Sequence, residues 1–182
     1  MSPYEIAQAV QDTSFFTAVR ESALVYPIVL STHLSMIAIF GGLILLTDLR
    51  LLGVTLTGVP ASEIVRRTRP LKWVGFLIMI TCGILLGGAK LLSYYDNPYF
   101  ITKLSLIACV GIHALVFRKS VYRNPQALDN PTGLPRAAKV AACLSLVLWV
   151  AILSNGRWIA YWEGPDPNAA VRPANIEQLA IR

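Results

Sequence analysis

Charge is what this chain lacks. Of its 182 residues only 14% are charged while 55% are hydrophobic, and mean hydropathy is +0.57. Soluble domains carry about 25% charged residues, so the supply here is roughly half of what coats a globular surface. The shortage excludes disorder, which needs low hydrophobicity and high charge, and it excludes an ordinary water-soluble enzyme. Cysteine is scarce too. Cys82, Cys109 and Cys143 make an odd count, one on each of three apolar stretches, which argues against a disulfide-stapled secreted module. Histidine is scarcer still, with only His33 and His113. Acidic residues are nearly missing from the apolar stretches, which speaks against a transporter built on Asp or Glu relays. There is no glycine-rich phosphate loop, no Cys-x-x-Cys and no His-Glu-x-x-His. No catalytic activity of its own is therefore expected. Residues 1–10 lack a basic start and an apolar core, so a cleavable signal peptide is not expected and the first span serves as its own insertion signal.

What the chain does have is apolar residues in blocks. Residues 22–47 contain no charge, residues 73–89 and 140–155 form two further blocks, and residues 100–117 form another broken only by Lys103. About 20 apolar residues in a helix cross roughly 30 Å of hydrocarbon, and about 17 suffice when flanking Lys or Arg stems snorkel. The expectation is an all-α, polytopic membrane protein: a four-helix transmembrane bundle with spans at about 24–47, 72–93, 99–118 and 138–158, here counted at about 1.5 Å per residue. Residues 1–21 read as an amphipathic N-terminal segment of one or two short helices on the membrane surface. Its sequence Ser2-Pro3-Tyr4-Glu5 spells a capping box, and Asp12-Thr13-Ser14 is placed to restart the helix. Residues 163–182 read as an extended tail able to lie along a partner.

Basic residues set the expected orientation. Arg50, Arg66, Arg67, Arg69 and Lys72 lie between spans one and two, and Arg118, Lys119, Arg123, Arg136 and Lys139 between spans three and four. The turn around Tyr94-Tyr95-Asp96-Asn97 has none. The positive-inside rule then puts both long connections on the cytoplasmic side and both termini on the outer side of the membrane. Tyr26, Tyr94, Tyr95, Tyr99, Trp158, Tyr161 and Trp162 form the matching outer aromatic belt. The net charge of +6 is thus topology and attraction to lipid head groups; with no basic face interleaved with aromatics, no nucleic acid is an expected partner. Between spans one and two, residues 60–67 read as a short helix, and Pro70 resets the chain before Trp73. Gly83 and Gly87 on span two, Gly111 and Ala114 on span three, and Ala137, Ala141 and Ser145 on span four are small residues suited to close helix packing.

Ionisable groups inside a membrane are functional candidates by default. His33 and His113 suit the axial ligands of haem b, since imidazole is a favoured ligand. Measured from Asp48 and Arg118, however, the two histidines differ in depth by about 15 Å, and by about 9 Å measured from the opposite ends of the spans. One haem held by both is disfavoured. A haem held by only one of them, or one with a ligand from another subunit, is not. A second constellation is soft: His33 with Met36, Met79 with Cys82, and Cys109 with His113, each pair spaced to share a helix face. Thioether, thiolate and imidazole together suit Cu(I). Asp48 and Arg50, directly after span one, read as an interfacial ion pair or as contacts to a subunit or quinone head group. Arg157, beside Gly156, is a candidate contact for a lipid head group, a quinone or a partner.

Several segments taken together carry a resemblance. His33-Leu34-Ser35-Met36, Gly41-Gly42, Thr47-Asp48-Leu49-Arg50-Leu51-Leu52-Gly53 and Arg69-Pro70-Leu71 resemble a family of uncharacterised bacterial inner-membrane proteins. Tyr95-Asp96-Asn97-Pro98-Tyr99-Phe100-Ile101-Thr102-Lys103 and Gly156-Arg157-Trp158-Ile159-Ala160-Tyr161 are similar to it as well, so the likeness covers about residues 20–162. It implies the four-span fold and no activity. More distantly, a first-span histidine followed by paired glycines is similar to copper-resistance and small cytochrome b-like membrane proteins. The expected function is an integral subunit or anchor of a larger redox or electron-transfer complex, contacting haem b or quinone. The alternative is a permease or copper-handling protein using Met36, Met79, Cys82 and Cys109.

Overall fold

The computed structural model describes residues 2–117, 125–129 and 133–164. Among them every regular element is helical: α1 (Pro3–Gln11), α2 (Ser14–Glu21), α3 (Val25–Leu52), α4 (Ala61–Ala89), α5 (Leu91–Tyr95), α6 (Pro98–Val116) and α7 (Arg136–Trp158). A 3-10 segment, Pro125–Asp129, precedes α7, and a 3-10 turn, Ile159–Tyr161, extends it. Four helices are long and apolar enough to cross a membrane: α3, α4, α6, and α7 with its extension. The expected tail beyond residue 164 lies outside the described residues.

Two expected boundaries differ. The first span does not end before Asp48, because α3 runs to Leu52 and stops at Gly53, the first residue able to take the left-handed cap conformation (φ 79°). Val54 then donates to the Leu49 carbonyl at 2.9 Å and Gly53 to that of Arg50 at 3.0 Å. Asp48 and Arg50 therefore lie within the helix and are not an interfacial pair. Asp48 is buried, while the Arg50 Nε reaches across to the Val59 carbonyl at 2.8 Å. Likewise Pro70 does not reset the chain, since α4 is one continuous helix of 29 residues that includes it. Proline removes one N–H and so frees one carbonyl a turn earlier. Here that turn carries the exposed Arg66, Arg67 and Arg69, a setting where water can satisfy the freed carbonyl.

Three of the four long helices bury a stripe with a spacing of three and four residues, the signature of one inward face. On α3 it contains Phe40, Gly41, Thr47, Asp48 and Leu51; on α4, Ala61, Val65, Thr68, Gly75, Cys82, Leu86 and Ala89. On α7, Ala138, Ala141, Ala142 and Ile152 are buried, and α6 buries no residue fully. α3 packs along α4 and α7, and α6 packs along α7, whereas the consecutive spans α4 and α6 share no broad contact. The bundle is thus two hairpins joined by the α3–α7 seam. Gly111 and Ala114 take no part in close packing: both are exposed, and nothing lies within 4 Å of a Cβ built on Gly111.

The two ends are closed differently. At the end bearing the basic connections, hereafter the basic end, Leu51, Ala61, Val65, Leu128, Ala138, Ala141 and Ala142 form a continuous core. Leu128 comes from the 3-10 segment, and its neighbour Asp129 accepts the Ser62 backbone N–H through Oδ1 at 3.1 Å. A residue from a distant connection therefore caps the N-terminus of α4, satisfying one of its orphan donors. At the opposite, aromatic end, α1 and α2 fold back over the bundle. The capping box forms as expected, with Ser2 N donating to Glu5 Oε2 at 2.7 Å and Glu5 N to Ser2 Oγ at 3.2 Å. Arg20 Nη1 joins the Gln11 and Ala89 carbonyls, each at 3.4 Å. Gln11 Oε1 takes the Leu92 N–H at 2.9 Å, and the Phe16 ring presses on Gly88.

The cap makes a prediction at the basic end. The Ser62 hydrogen bonds hold the Asp129 carboxyl below its ordinary range, so its contribution is present above the unfolded-state value and is lost as pH falls through the lower folded-state value. Asp129→Ala is expected to cost about 1 kcal/mol, read as a lowered thermal unfolding midpoint in detergent. That difference from the parent is expected to shrink at acid pH.

Candidate functional site: two polar tiers and an aromatic plug

The inward stripes of the spans carry polar side chains at two depths. The tier nearer the aromatic end is built on His33 of α3. Its Nδ1 lies 3.0 Å from the Met79 carbonyl of α4. A carbonyl accepts only, so Nδ1 carries the proton, and in the neutral imidazole Nε2 presents a lone pair. Gly83 makes room for the ring, since a Cβ there would stand 3.3 Å from His33 Cε1. Lys103 of α6 is half-buried and lies within electrostatic reach of His33. Its Nζ lies 3.6 Å from where a Cβ on Gly156 of α7 would stand. It does not simply extend along the lipid: its stem runs against α7, in space left by a missing side chain. Among the described residues no carboxylate pairs with this ammonium. Above the tier, Lys90 lies over the Tyr26 ring at 4.8 Å. Tyr94 stacks on Phe100 at 5.0 Å and bonds to Tyr26, and burial pushes the Tyr94 hydroxyl above its ordinary range.

The tier nearer the basic end is buried more deeply. Thr47 (2% exposed), Asp48 (4%) and Thr68 are its buried members. Ser145 of α7 hydrogen-bonds the Asp48 carboxylate, and Lys72 of α4 lies within electrostatic reach of it. Thr47 Oγ1 donates to the Leu43 carbonyl and Thr68 Oγ1 to that of Ile64, each at 2.8 Å.

Between the tiers stands an aromatic plug. Phe40 meets Trp149 edge-on at 5.5 Å and Phe76 at 6.1 Å. Two glycines let it form: a Cβ on Gly41 would lie 2.5 Å from Trp149 Nε1, and one on Gly75 3.3 Å from Phe40 Cβ. Trp149 packs inside the bundle, against Phe40 of α3.

The candidate residues fall into place against this frame. His113 bonds through Nε2 to the Ala141 carbonyl at 2.9 Å, on the α6–α7 seam. His33 belongs to the α3–α4 seam, on the other side of the plug, so a haem ligated by both would have to cross it. Arg157 is exposed, with its guanidinium over the Tyr161 ring at 4.8 Å and bonded to the Tyr161 hydroxyl. It lines an open surface pocket with Leu153, Ser154 and Trp158. The structure thus does not bring His33, His113 and Arg157 together. Of the soft set, His33, Met36, Met79 and Cys82 lie on the facing stripes of α3 and α4, and Cys82 is buried. Cys109 is exposed on α6 and stands apart from them. Among the described residues no three His, Cys, Asp or Glu side chains gather as a metal site.

Sequence reasoning read Asp48 as a contact at the end of span one and left Lys72 and Lys103 out of the site. A usable signal existed on α4, where Thr68, Lys72, Gly75, Met79 and Cys82 keep one unbroken three-and-four spacing straight through Pro70.

The plug is expected to be intolerant of added volume. Gly41→Ala, which meets the Trp149 ring, should cost about 1–3 kcal/mol. Gly42→Ala, with nothing within 4 Å of its added methyl, should leave the thermal midpoint in detergent unchanged or slightly raised. Equal effects at the two neighbours would refute the placement of Trp149.

A family model described as a family of unknown function (DUF6644) matches residues 9–162. No curated protein and no solved structure matches the chain.

Proposed function

Since the chain belongs to this family of unknown function, whose description assigns no activity, we propose from the geometry that it is an integral membrane subunit of a larger redox assembly and that its aromatic-end tier receives a quinone head group. The observation that carries this reading is His33 pinned by a backbone carbonyl, within electrostatic reach of a Lys103 ammonium that has no carboxylate partner among the described residues. A quinone carbonyl accepts from Lys103 Nζ. A quinol hydroxyl gives its proton to His33 Nε2, which acts as a general base held in one tautomer. The same fixed lone pair suits one axial position of haem b, the second ligand coming from another subunit. Among the spans, α6 packs broadly only along α7 and buries no residue fully, which supports the subunit role, as it leaves the rest of that span for lipid or a partner chain to cover. In this reading the basic end faces the bacterial cytoplasm and both termini the periplasm.

A second reading is favoured by one arrangement, the four soft candidates on the α3–α4 seam. There the protein would hold Cu(I) through His33, Met36, Met79 and Cys82, with no part for Cys109.

The test is a purified sample in detergent. Its visible spectrum reports haem directly, and titration with a short-chain ubiquinone, followed by tryptophan quenching, reports the head-group site. His33→Ala and Lys103→Met are each expected to weaken quinone binding about tenfold, equivalent to about 1.4 kcal/mol. Binding unchanged in both variants removes the quinone reading. Cuprous ion competed against a chelator tests the second reading, which requires Cys82→Ser to lower affinity and Cys109→Ser to leave it alone.

A further inference from the structure

Packing does not account for the Asp48 carboxyl. It is 4% exposed on a membrane-spanning helix. Ser145 serves the carboxylate, yet Oδ2 has no hydrogen-bond partner. Lys72 acts on it electrostatically, but no ion pair joins the two. The surroundings are poor in donors. Each threonine hydroxyl owns one proton, and Thr47 and Thr68 spend theirs on the Leu43 and Ile64 carbonyls. Their oxygens also lie 3.3 Å apart, within hydrogen-bond distance with either as donor, so two protons are shared among the two carbonyls and the two hydroxyls and none is left over for Asp48 on the same buried face. An ionised carboxylate there has one hydroxyl donor and a bare oxygen, the arrangement that burial penalises most. A carboxylic acid instead brings its own O–H to the oxygen that lacks one.

We propose that Asp48 is an intramembrane proton-binding site that exchanges its proton with the aqueous phase at the basic end. Sidedness follows from what stands along the bundle. Towards the aromatic end, the Lys72 ammonium and then the Phe40–Trp149 plug close the way, Phe40 being about 12 Å along α3 from Asp48. Towards the basic end, α3 ends at Leu52, about 6 Å away, so the apolar core around Leu51, Val65 and Leu128 is a shorter barrier than the charged and aromatic side. The charged and titratable groups of the neighbouring elements are otherwise engaged. Arg50, on α3 itself, is turned to the Val59 carbonyl, and His113 of α6 to the Ala141 carbonyl. α7 turns the neutral Ser145 to Asp48, its cations Arg136 and Lys139 being exposed. On α4, Arg66 and Arg67 pair with Glu63 and Arg69 is exposed, so among the described residues Lys72 is the cation whose charge acts on Asp48, placed to repel a second positive charge and so to keep the exchange on one side. This inference does not rest on the quinone reading, since it concerns the other side of the plug.

The test uses the full chain in liposomes of phosphatidylethanolamine and phosphatidylglycerol. Dicyclohexylcarbodiimide reacts with protonated carboxyls in apolar surroundings, and mass spectrometry of the peptides locates the adduct. Infrared spectra report the carbonyl stretch of a protonated carboxyl, and isotopically labelled aspartate shifts that band without any substitution. The expected result is an adduct at Asp48 and the band at neutral pH, both kept in Lys72→Met and both lost in Asp48→Asn. Absence of the adduct and the band from the wild-type protein overturns the proposal. Their appearance only in Lys72→Met overturns it in a particular way, by showing that Asp48 is ionised and held by the lysine.

Discussion

In hydrocarbon an N–H, a hydroxyl or an imidazole has no water to fall back on, so each must find its partner within the bundle or cost several kcal/mol. The polar side chains of these spans are placed by that constraint. Thr47, Thr68, Ser105 and Asn155 each turn back to the carbonyl four residues earlier on their own helix. The two histidines cannot do so and reach to a neighbouring helix, His33 to Met79 and His113 to Ala141. Those two bonds tie α3 to α4 and α6 to α7, the same pairings that apolar packing makes. The histidines thus register the hairpins, and the nitrogen left over on His33 is a by-product of that registration on which a ligand site can be built.

The plug depends on the same economy of space. Phe40, Phe76 and Trp149 bury large rings at one level, and the backbones can come close enough only because positions 41 and 75 are glycine. Small residues let helices approach where no hydrophobic drive separates lipid from protein. At this level small residues on α3 and α4 accommodate large ones on α7 and α3, which fills the middle of the bundle and leaves polar groups only to either side. At the aromatic end the relation is reversed. There Gly88 receives Phe16 from α2, so the N-terminal helices are seated in the bundle and do not merely rest on a surface.

Much of this was legible. Apolar run length gave the four spans, since nothing but a helix satisfies its own backbone in lipid. Ser2-Pro3-Tyr4-Glu5 fixed the first helix through local hydrogen bonds alone. What failed was the use of charge and proline as punctuation. Asp48 looked like the end of a span because a carboxylate should leave hydrocarbon, yet helical register turns it inward towards Ser145. Pro70 looked like a break, yet α4 is already past its exposed basic turns there and carries on. The trans cap of α4 by Asp129 and the seating of Lys103 against Gly156 are tertiary facts with no local signature. The candidate site suffered most, because its members come from four helices whose pairing no single stretch of sequence encodes.

That dependence on pairing bears on how the aromatic-end tier works. His33 and Met79 sit on the α3–α4 hairpin, while Lys103 and Gly156 sit on the α6–α7 hairpin. Each hairpin satisfies its own histidine, while Asp48 of the first takes its hydroxyl partner from Ser145 of the second. The imidazole and the ammonium come within reach of one another only because α7 docks on α3. Across the α4–α6 edge the two hairpins do not pack broadly, and contact there is confined to the ends, with Phe100 against Gly87 at one and the Pro125–Asp129 segment against α4 at the other. A head group bonded to both His33 and Lys103 would therefore bridge the hairpins where the protein itself does not, and its binding energy would add to the stability of the docked bundle by mass action. Occupancy of the tier and closure of the bundle would then be two views of one equilibrium, with the plug as the fixed point about which the hairpins are held.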